Sequence, residues 1–209
     1  MTDGGPTSPV DEMRQFIRSQ VAGGFLDAYE VEQSAIDCFE HDLAREHLDP
    51  ALLKRIAGVE TDKAFAAQLD AQRQWPAVTD CDRLDRAFAD LNRRGIVARQ
   101  NFACCNTCGH AEIGDEIATA QKSGTKVIGY TFFHLQGTEG AVTHGALYLA
   151  YSDLAGDEAA GVKIGRAIVE SLEQHGLAVE WNGSFDKAIR VKLTWQRRVS
   201  KQMAKRNPQ

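Results

Sequence analysis

The sequence lacks several features that would place it in a large class of proteins. It has no apolar run near the roughly 18 residues that a membrane-spanning helix needs, so no membrane association is expected. Its start has neither the basic nor the apolar region of a signal peptide, which predicts a cytoplasmic protein. Lysine and arginine number 24 against 29 aspartates and glutamates, which makes binding to nucleic acid unexpected. These absences leave an unknown small molecule or another protein as the partner.

Common catalytic motifs are also missing. The chain has no phosphate-binding Walker loop, no dinucleotide fingerprint, no paired-histidine zinc protease motif and no Gly-x-Ser-x-Gly nucleophile turn. Cysteine is scarce and odd in number: there are five, and three of them fall within residues 104–108. In a reducing cytosol, such a cluster indicates metal ligands or a redox group rather than structural disulfides.

Composition and periodicity divide the chain into four segments. Residues 1–9 are rich in Gly, Pro, Ser and Thr and are predicted to be disordered. Residues 10–75 form a helical region of four helices, the last of which starts at Thr61. Residues 76–198 form an α+β domain, and residues 199–209 are a basic tail that is expected to be solvated.

The α+β domain begins with the clearest helix of the chain, which runs from Thr79 to Gly95. From residue 96 the hydrophobic period alternates between that of strands and that of helices, in the order β-α-β-β-α-β-β. The first six elements match a ferredoxin-like sandwich, and the last strand extends it as a hairpin. We therefore predict a mainly antiparallel sheet with its helices on one face.

This topology predicts where the polar residues meet. If strands 96–103 and 127–134 are parallel, the cysteine loop and His134 share one end of the sheet. His144 precedes the strand that is expected between these two strands, so it is expected at the same end. His144 is then one strand from the loop and His134 two. The start of the helix at Asp80 is expected at the same end.

The cysteine cluster predicts a zinc site, most naturally a structural one. Cys105 and Cys108 have the Cys-x-x-Cys spacing that presents two thiolates to a tetrahedral ion, and His110 can add a nitrogen. A strong zinc signature has two Cys-x-x-Cys motifs. The sequence has no second one, so it contains half of that signature. The candidates to complete the ligand set are Cys104, His144 and His134.

The same residues support other interpretations, which remain open from sequence alone. A Cys-x-x-Cys at the start of a helix is typical of thiol oxidoreductases, although those are expected near a parallel βαβ unit, which the sequence does not clearly indicate. The cysteines are also compatible with small residues packed in a tight turn. A weaker binding or hydrolytic candidate lies beyond the second strand, in His134, Gln136 and Glu139. A weaker cation site is formed by Asp80, Asp82 and Asp85, for which helix caps and a solvated helix face are the simpler explanation.

Six short motifs give the chain a resemblance to a known group of proteins. They are WPAVTDCDRLD at 75–85, GIVARQN at 95–101, YTFFHLQGTE at 130–139, LYLAY at 147–151, VEWNG at 179–183 and WQRR at 195–198. With these motifs the chain resembles an uncharacterised bacterial domain-of-unknown-function family from about residue 12 to 198. The resemblance implies no activity. Some similar proteins replace the cysteine loop with a polar turn, which implies that a shared site falls on His134, Gln136, Glu139 and residues 80–85.

Taken together, the sequence predicts a cytoplasmic binding or regulatory protein with a Cys/His zinc site, and an enzymatic activity is not the favoured interpretation. The alternatives are a thiol oxidoreductase that uses Cys105 and Cys108, a hydrolase, or an interaction module with incidental cysteines.

Overall fold

The computed structural model describes residues 8–45 and 49–206, and the chain divides into two units. One unit joins both ends of the chain, Met1–Pro76 with Gln196–Gln209, and the other is the intervening segment Ala77–Trp195. The described residues form seven α-helices and a five-stranded sheet. None of the helices in this part of the chain combines the length and the apolar character that crossing a bilayer requires.

Three helices build the first unit. Helix α1 spans Pro9–Gly23, α2 spans Ala28–Arg45 and α3 spans Pro50–Ala71. The side chains of Ser8 and Asp49 accept backbone N–H groups at the starts of α1 and α3, each of which has proline as its first residue. Of the stretch predicted to be disordered, residues 1–7 lie outside the described residues, whereas Ser8 and Pro9 open α1.

The fourth helix predicted in this region is wrong as a separate element. Thr61 lies inside α3 with no exposed surface, and the helix continues to Ala71 and a short 3-10 turn, Gln72–Gln74. No proline interrupts residues 51–71, and Gly58 alone costs a helix only about 1 kcal/mol. The Thr-Asp start signal is therefore overridden by the helical pattern on either side.

The C-terminal segment completes the core of this first unit. The sequence predicts a solvated extension, whereas Val199 is buried among the apolar residues of the three helices. The Gln72 side chain hydrogen-bonds both the N–H and the C=O of Val199 at 3.0 Å. Arg206 forms an ion pair with Glu32 at 2.5 Å, so this basic residue of the segment binds a carboxylate of the same unit.

The second unit contains the sheet. Its elements are α4 Asp80–Arg93, β1 Ile96–Arg99, α5 Asn106–Lys122, β2 Gly129–Phe132, α6 Leu135–His144, β3 Ala146–Asp153, α7 Glu158–Gln174, β4 Ala178–Glu180 and β5 Ile189–Lys192. The capping box predicted at the start of α4 is confirmed, with the Thr79 and Asp82 side chains each accepting the other's backbone N–H. The α+β class and the mainly antiparallel sheet are also confirmed.

The strand order differs from a ferredoxin-like sandwich. It is β1-β2-β3-β5-β4, with β1 and β2 parallel neighbours and the other three pairings antiparallel. A ferredoxin-like sheet would insert β3 between β1 and β2, but β3 pairs with the far side of β2. The order of elements along the chain is compatible with both arrangements, so it could not decide between them.

The helices cover both faces of the sheet, so the prediction of one covered face is also wrong. Helix α5 packs on the face that carries Val97 and Phe132. Helix α7 packs on the opposite face, where it lies against Gly129 and Tyr151. Helix α4 contacts α7 and lies on that second face. A right-handed crossover joins the parallel neighbours β1 and β2, and it places α5 on the face opposite α4 and α7.

Candidate functional site

The loop between β1 and α5 is held in an unusual backbone conformation. Asn101 and Ala103 have φ angles of 49° and 57°, and they are the described non-glycine residues with positive φ. For alanine this conformation costs about 1–2 kcal/mol. Such strain persists where surrounding bonds fix the backbone, and it is concentrated at functional sites.

Backbone hydrogen bonds supply that fixation. The N–H of Phe102 donates to the carbonyl of Phe133 at 2.8 Å, and the N–H of Leu135 donates to the carbonyl of Ala103 at 3.1 Å. The hydroxyl of buried Thr138 donates to Oδ1 of Asn101 at 2.7 Å. The loop is therefore tied to the end of β2 and to the start of α6.

The loop delivers three cysteines to one point. The Sγ atoms of Cys104, Cys105 and Cys108, which we call the cysteine cluster, all lie within 4.8 Å of one another. Helix α5 starts four residues earlier than its periodicity predicts, so Cys105 is its N-cap and Cys108 lies in its first turn. Gly109 is buried directly on the Phe132 ring, where a Cβ atom would come within 2.3 Å of the ring, and this contact seats the first turn of α5 on β2.

The three thiols influence one another's protonation. The Cys108 backbone N–H, helped by the Cys108 and Cys104 side chains, lowers the pKa of Cys105. Hydrogen bonds with Cys104 and Cys105, and the negative charge of those thiolates, raise the pKa of Cys108 to about 12. Ionisation of Cys108 is thus disfavoured in the bare cluster, and a bound divalent cation removes that penalty.

The histidines proposed from sequence do not join the cluster. Among residues 8–45 and 49–206, no His, Asp or Glu atom lies within the group formed by the three sulfurs. His110 Nδ1 lies 3.1 Å from the Tyr130 hydroxyl, and Nδ1 of His134 accepts the N–H of Gly137 at 3.2 Å as the N-cap of α6. His144 ends the same helix, so α6, which sequence reasoning missed, separates the two histidines.

The order in which the strands approach the loop is also the reverse of the prediction. Because β2 is the neighbour of β1, His134 is one strand from the cysteine loop and His144, which precedes β3, is two. Burial lowers the pKa of both His110 and His134, which favours their neutral forms.

The weaker candidates are placed as follows. Asp80 forms an ion pair with Arg83 at 3.0 Å and accepts the backbone N–H of Thr194 at 2.9 Å. Asp82 caps α4. Gln136 is exposed in the first turn of α6, and Glu139 is half-buried in the next turn. The structure thus gives both aspartates bonds that hold α4, and it places neither beside the cysteine cluster.

A cavity that sequence reasoning missed lies beside the start of α5. Its volume is about 350 Å³, and Asn106, His110, His134 and Tyr148 line it. The available signal was the alternation along β3, where Tyr148 points away from its buried neighbours Leu147 and Leu149.

Most of the chain matches a known protein family. Residues 6–199 match the family "Domain of unknown function (DUF6891)". No curated protein and no solved structure matches the chain.

Proposed function

Because the chain belongs to DUF6891, a family of unknown function, its role has to be inferred from its own residues, and we propose that it is a zinc-binding protein. The ion is held by the thiolates of Cys104, Cys105 and Cys108 at the start of α5. The observation that carries this proposal is the mutual approach of three sulfurs to within 4.8 Å.

The distances suit a tetrahedral thiolate site. With Zn–S bonds of about 2.3 Å, sulfurs on a tetrahedral ion are about 3.8 Å apart, so the cluster has to contract by about 1 Å or less. Soft thiolate ligands select zinc over the hard divalent cations magnesium and calcium. Two of the ligands are fixed by a helix start and the third by the strained loop, which reduces the ordering that binding requires.

The number of ligands bears on the role of the ion. Closed structural zinc sites use four protein ligands, whereas open sites use three and leave one position for water or another molecule. The described residues offer three. We therefore propose an ion that stabilises the loop and the start of α5 and keeps its fourth position open to water or a small ligand.

The test is metal content measured on protein purified without a metal-affinity tag. We expect about one zinc per chain, lost in Cys105→Ser/Cys108→Ser and retained in Cys38→Ser, which changes an exposed cysteine of the other unit. Substitution with Co²⁺ checks the ligand number, because thiolate-to-cobalt absorption grows with the number of bound sulfurs. Metal-free protein in which Cys104, Cys105 and Cys108 all react freely would show that the proposal is wrong, whereas buried Cys81 is expected to stay unreactive in either case.

A second candidate, thiol–disulfide exchange, is favoured by one specific observation. Sequence reasoning disfavoured it for want of a parallel βαβ unit, but β1, α5 and β2 form such a unit, with the Cys-x-x-Cys at the start of its helix. Thiol counting separates the candidates: a reversible disulfide between Cys105 and Cys108 in metal-free protein supports exchange, and protection of thiols by zinc supports the metal site.

A further inference from the structure

Helix α5 packs on one half of its face of the sheet, and residues of α6 border the other half. Helix α5 packs on β1 and β2, while the same face of β3 and β5 presents Ala146, Tyr148, Ala150 and Arg190. Two cavities of about 350 and 460 Å³ lie over this half and share His134 and Tyr148 as lining residues. We call the two together the sheet groove, and each is in the size range of small-molecule sites.

The floor of the groove suits a flat apolar group. The Tyr148 side chain is 53% exposed, which is unusual for a large aromatic residue in the middle of a strand. Ala146 and Ala150, two residues before and after Tyr148, have small side chains, so the Tyr148 ring projects above its neighbours on the strand. An aromatic ring of a ligand can stack there without displacing protein atoms.

The walls of the groove are rich in hydrogen-bond donors. The side chains with N–H groups are Asn106, His110, His134, Gln136, His144, Lys187 and Arg190. Against them stands the carboxylate of Asp186, which already pairs with Lys187 at 3.4 Å. A ligand with acceptor oxygens matches this lining better than one with donors.

One of these donors has its tautomer fixed by the fold. The backbone N–H of Gly137 donates to Nδ1 of His134, so the neutral ring carries its proton on Nε2. The Arg190 guanidinium binds Glu180 through Nη1 at 2.5 Å and also interacts with the Tyr148 side chain, and it lines the groove with part of its side chain exposed. An imidazole N–H and a guanidinium thus line the groove on either side of Tyr148, the neighbour of Arg190 on β3.

We propose that the sheet groove binds a small ring compound with an oxyanion group, a carboxylate or a phosphate. The ring lies on Tyr148, and the oxyanion accepts hydrogen bonds from Arg190 and His134. The site is separate from the metal proposal, because none of the three cysteines lines the groove.

The sequence offers a matched pair of variants. Arg190 and Lys192 are two residues apart on β5, point to the same face and both form ion pairs with Glu180, but Arg190 lines the groove and Lys192 does not. Arg190→Gln and Lys192→Gln therefore break equivalent bonds of the sheet while changing the groove in one case alone.

The experiment is an NMR titration of the full chain with benzoate, phenyl phosphate and the neutral analogue benzyl alcohol. The ring signals of His110 and His134 report on the groove, and that of His175, which does not line it, is the internal control. We expect saturable shifts at both groove histidines, with at least one anion binding about tenfold more tightly than benzyl alcohol, since a charge-assisted hydrogen bond contributes about this factor.

In the variants, we expect Arg190→Gln to weaken anion binding about tenfold and Lys192→Gln to leave it within about twofold. Tyr148→Ala, at an exposed position, is expected to weaken all three ring probes. The proposal is overturned if the groove histidines do not shift, if benzyl alcohol binds as tightly as both anions, or if the two β5 variants lose affinity equally. The tighter anion identifies the oxyanion as carboxylate or phosphate.

Discussion

The two faces of the sheet differ in what covers them. On one face, α4 and α7 bury a continuous apolar surface that includes Leu147, Leu149 and Ile189. On the other face, α5 covers β1 and β2 but does not extend over β3 and β5. Tyr148 and Arg190 therefore lie beside open space. The cysteine cluster and the sheet groove both lie near this boundary.

The comparison shows that the residues that stabilise the fold and the residues with reactive or hydrogen-bonding groups lie on opposite faces of the same strands. Residues that point to the covered face are apolar and buried, so they contribute to stability. Residues at the boundary include histidines, thiols and a guanidinium, which add little apolar burial and much hydrogen-bonding capacity. Three changes test this division, from the largest expected effect to the smallest.

The largest effect comes from two neighbouring residues of β3 that point to opposite faces. Leu149→Ala empties a fully buried position and is expected to lower the free energy of unfolding by about 2–5 kcal/mol. Tyr148→Ala, the control, removes a half-exposed side chain and is expected to cost under about 1 kcal/mol. Urea unfolding of both variants measures the difference, and equal losses would refute the division between the faces.

An intermediate effect is expected where α5 meets β2. Gly109→Ala forces a methyl group into the buried Phe132 ring, and such overpacking costs about 1–3 kcal/mol. Gly114→Ala lies in the same helix with open space around it and is expected to stabilise by about 0.5–1 kcal/mol. Thermal unfolding compares the two. A harmless Gly109→Ala would mean that α5 is not held closely on the sheet.

The smallest effect is a pH dependence at the boundary. Burial lowers the pKa of His134 in the folded protein below the unfolded value of about 6.5, so the unfolded chain binds more protons just below that pH. Stability is therefore complete above about pH 6.5 and falls as the pH drops towards the folded pKa. Protonation at Nδ1 also removes the cap of α6.

His134→Asn isolates this contribution, because asparagine caps helices without titrating. We expect the melting temperature of the variant to fall less between pH 7.5 and pH 5 than that of the wild type. His110, whose pKa is also lowered by burial, keeps some of the dependence. Identical pH profiles would show that His134 does not titrate in this range.

Local features of the fold were predictable because they depend on residues that are close together in the sequence. The capping box of Thr79 and Asp82 and the alternation of Ile189 and Val191 with Arg190 are examples. The strand order was not predictable, because the choice between inserting β3 and adding it outside β2 depends on pairings distant in sequence. Helix α6 was missed because its two glycines and weak apolar pattern resemble a turn.

The candidate site, too, was predictable where it depends on residues close in sequence and not where it depends on distant ones. The approach of Cys105 and Cys108 follows from their spacing, and Cys104 joins them because the left-handed Ala103 turns the chain just before it. The histidines were expected at the metal because α6 was taken for a loop. The groove was invisible from sequence, since Tyr148 and Arg190 become neighbours through the β3–β5 register alone.

The return of the C-terminal segment to the first unit has a consequence for the order in which the chain is made. The helical core requires Val199 and contacts from Met203 and Ala204, whereas the sheet unit is complete once Trp195 has been synthesised. Although domains generally fold from the N-terminus during synthesis, the core of these N-terminal helices is completed by residues 199–204, which are made after the sheet unit. The middle of this protein can therefore reach its native state on the ribosome before its beginning does.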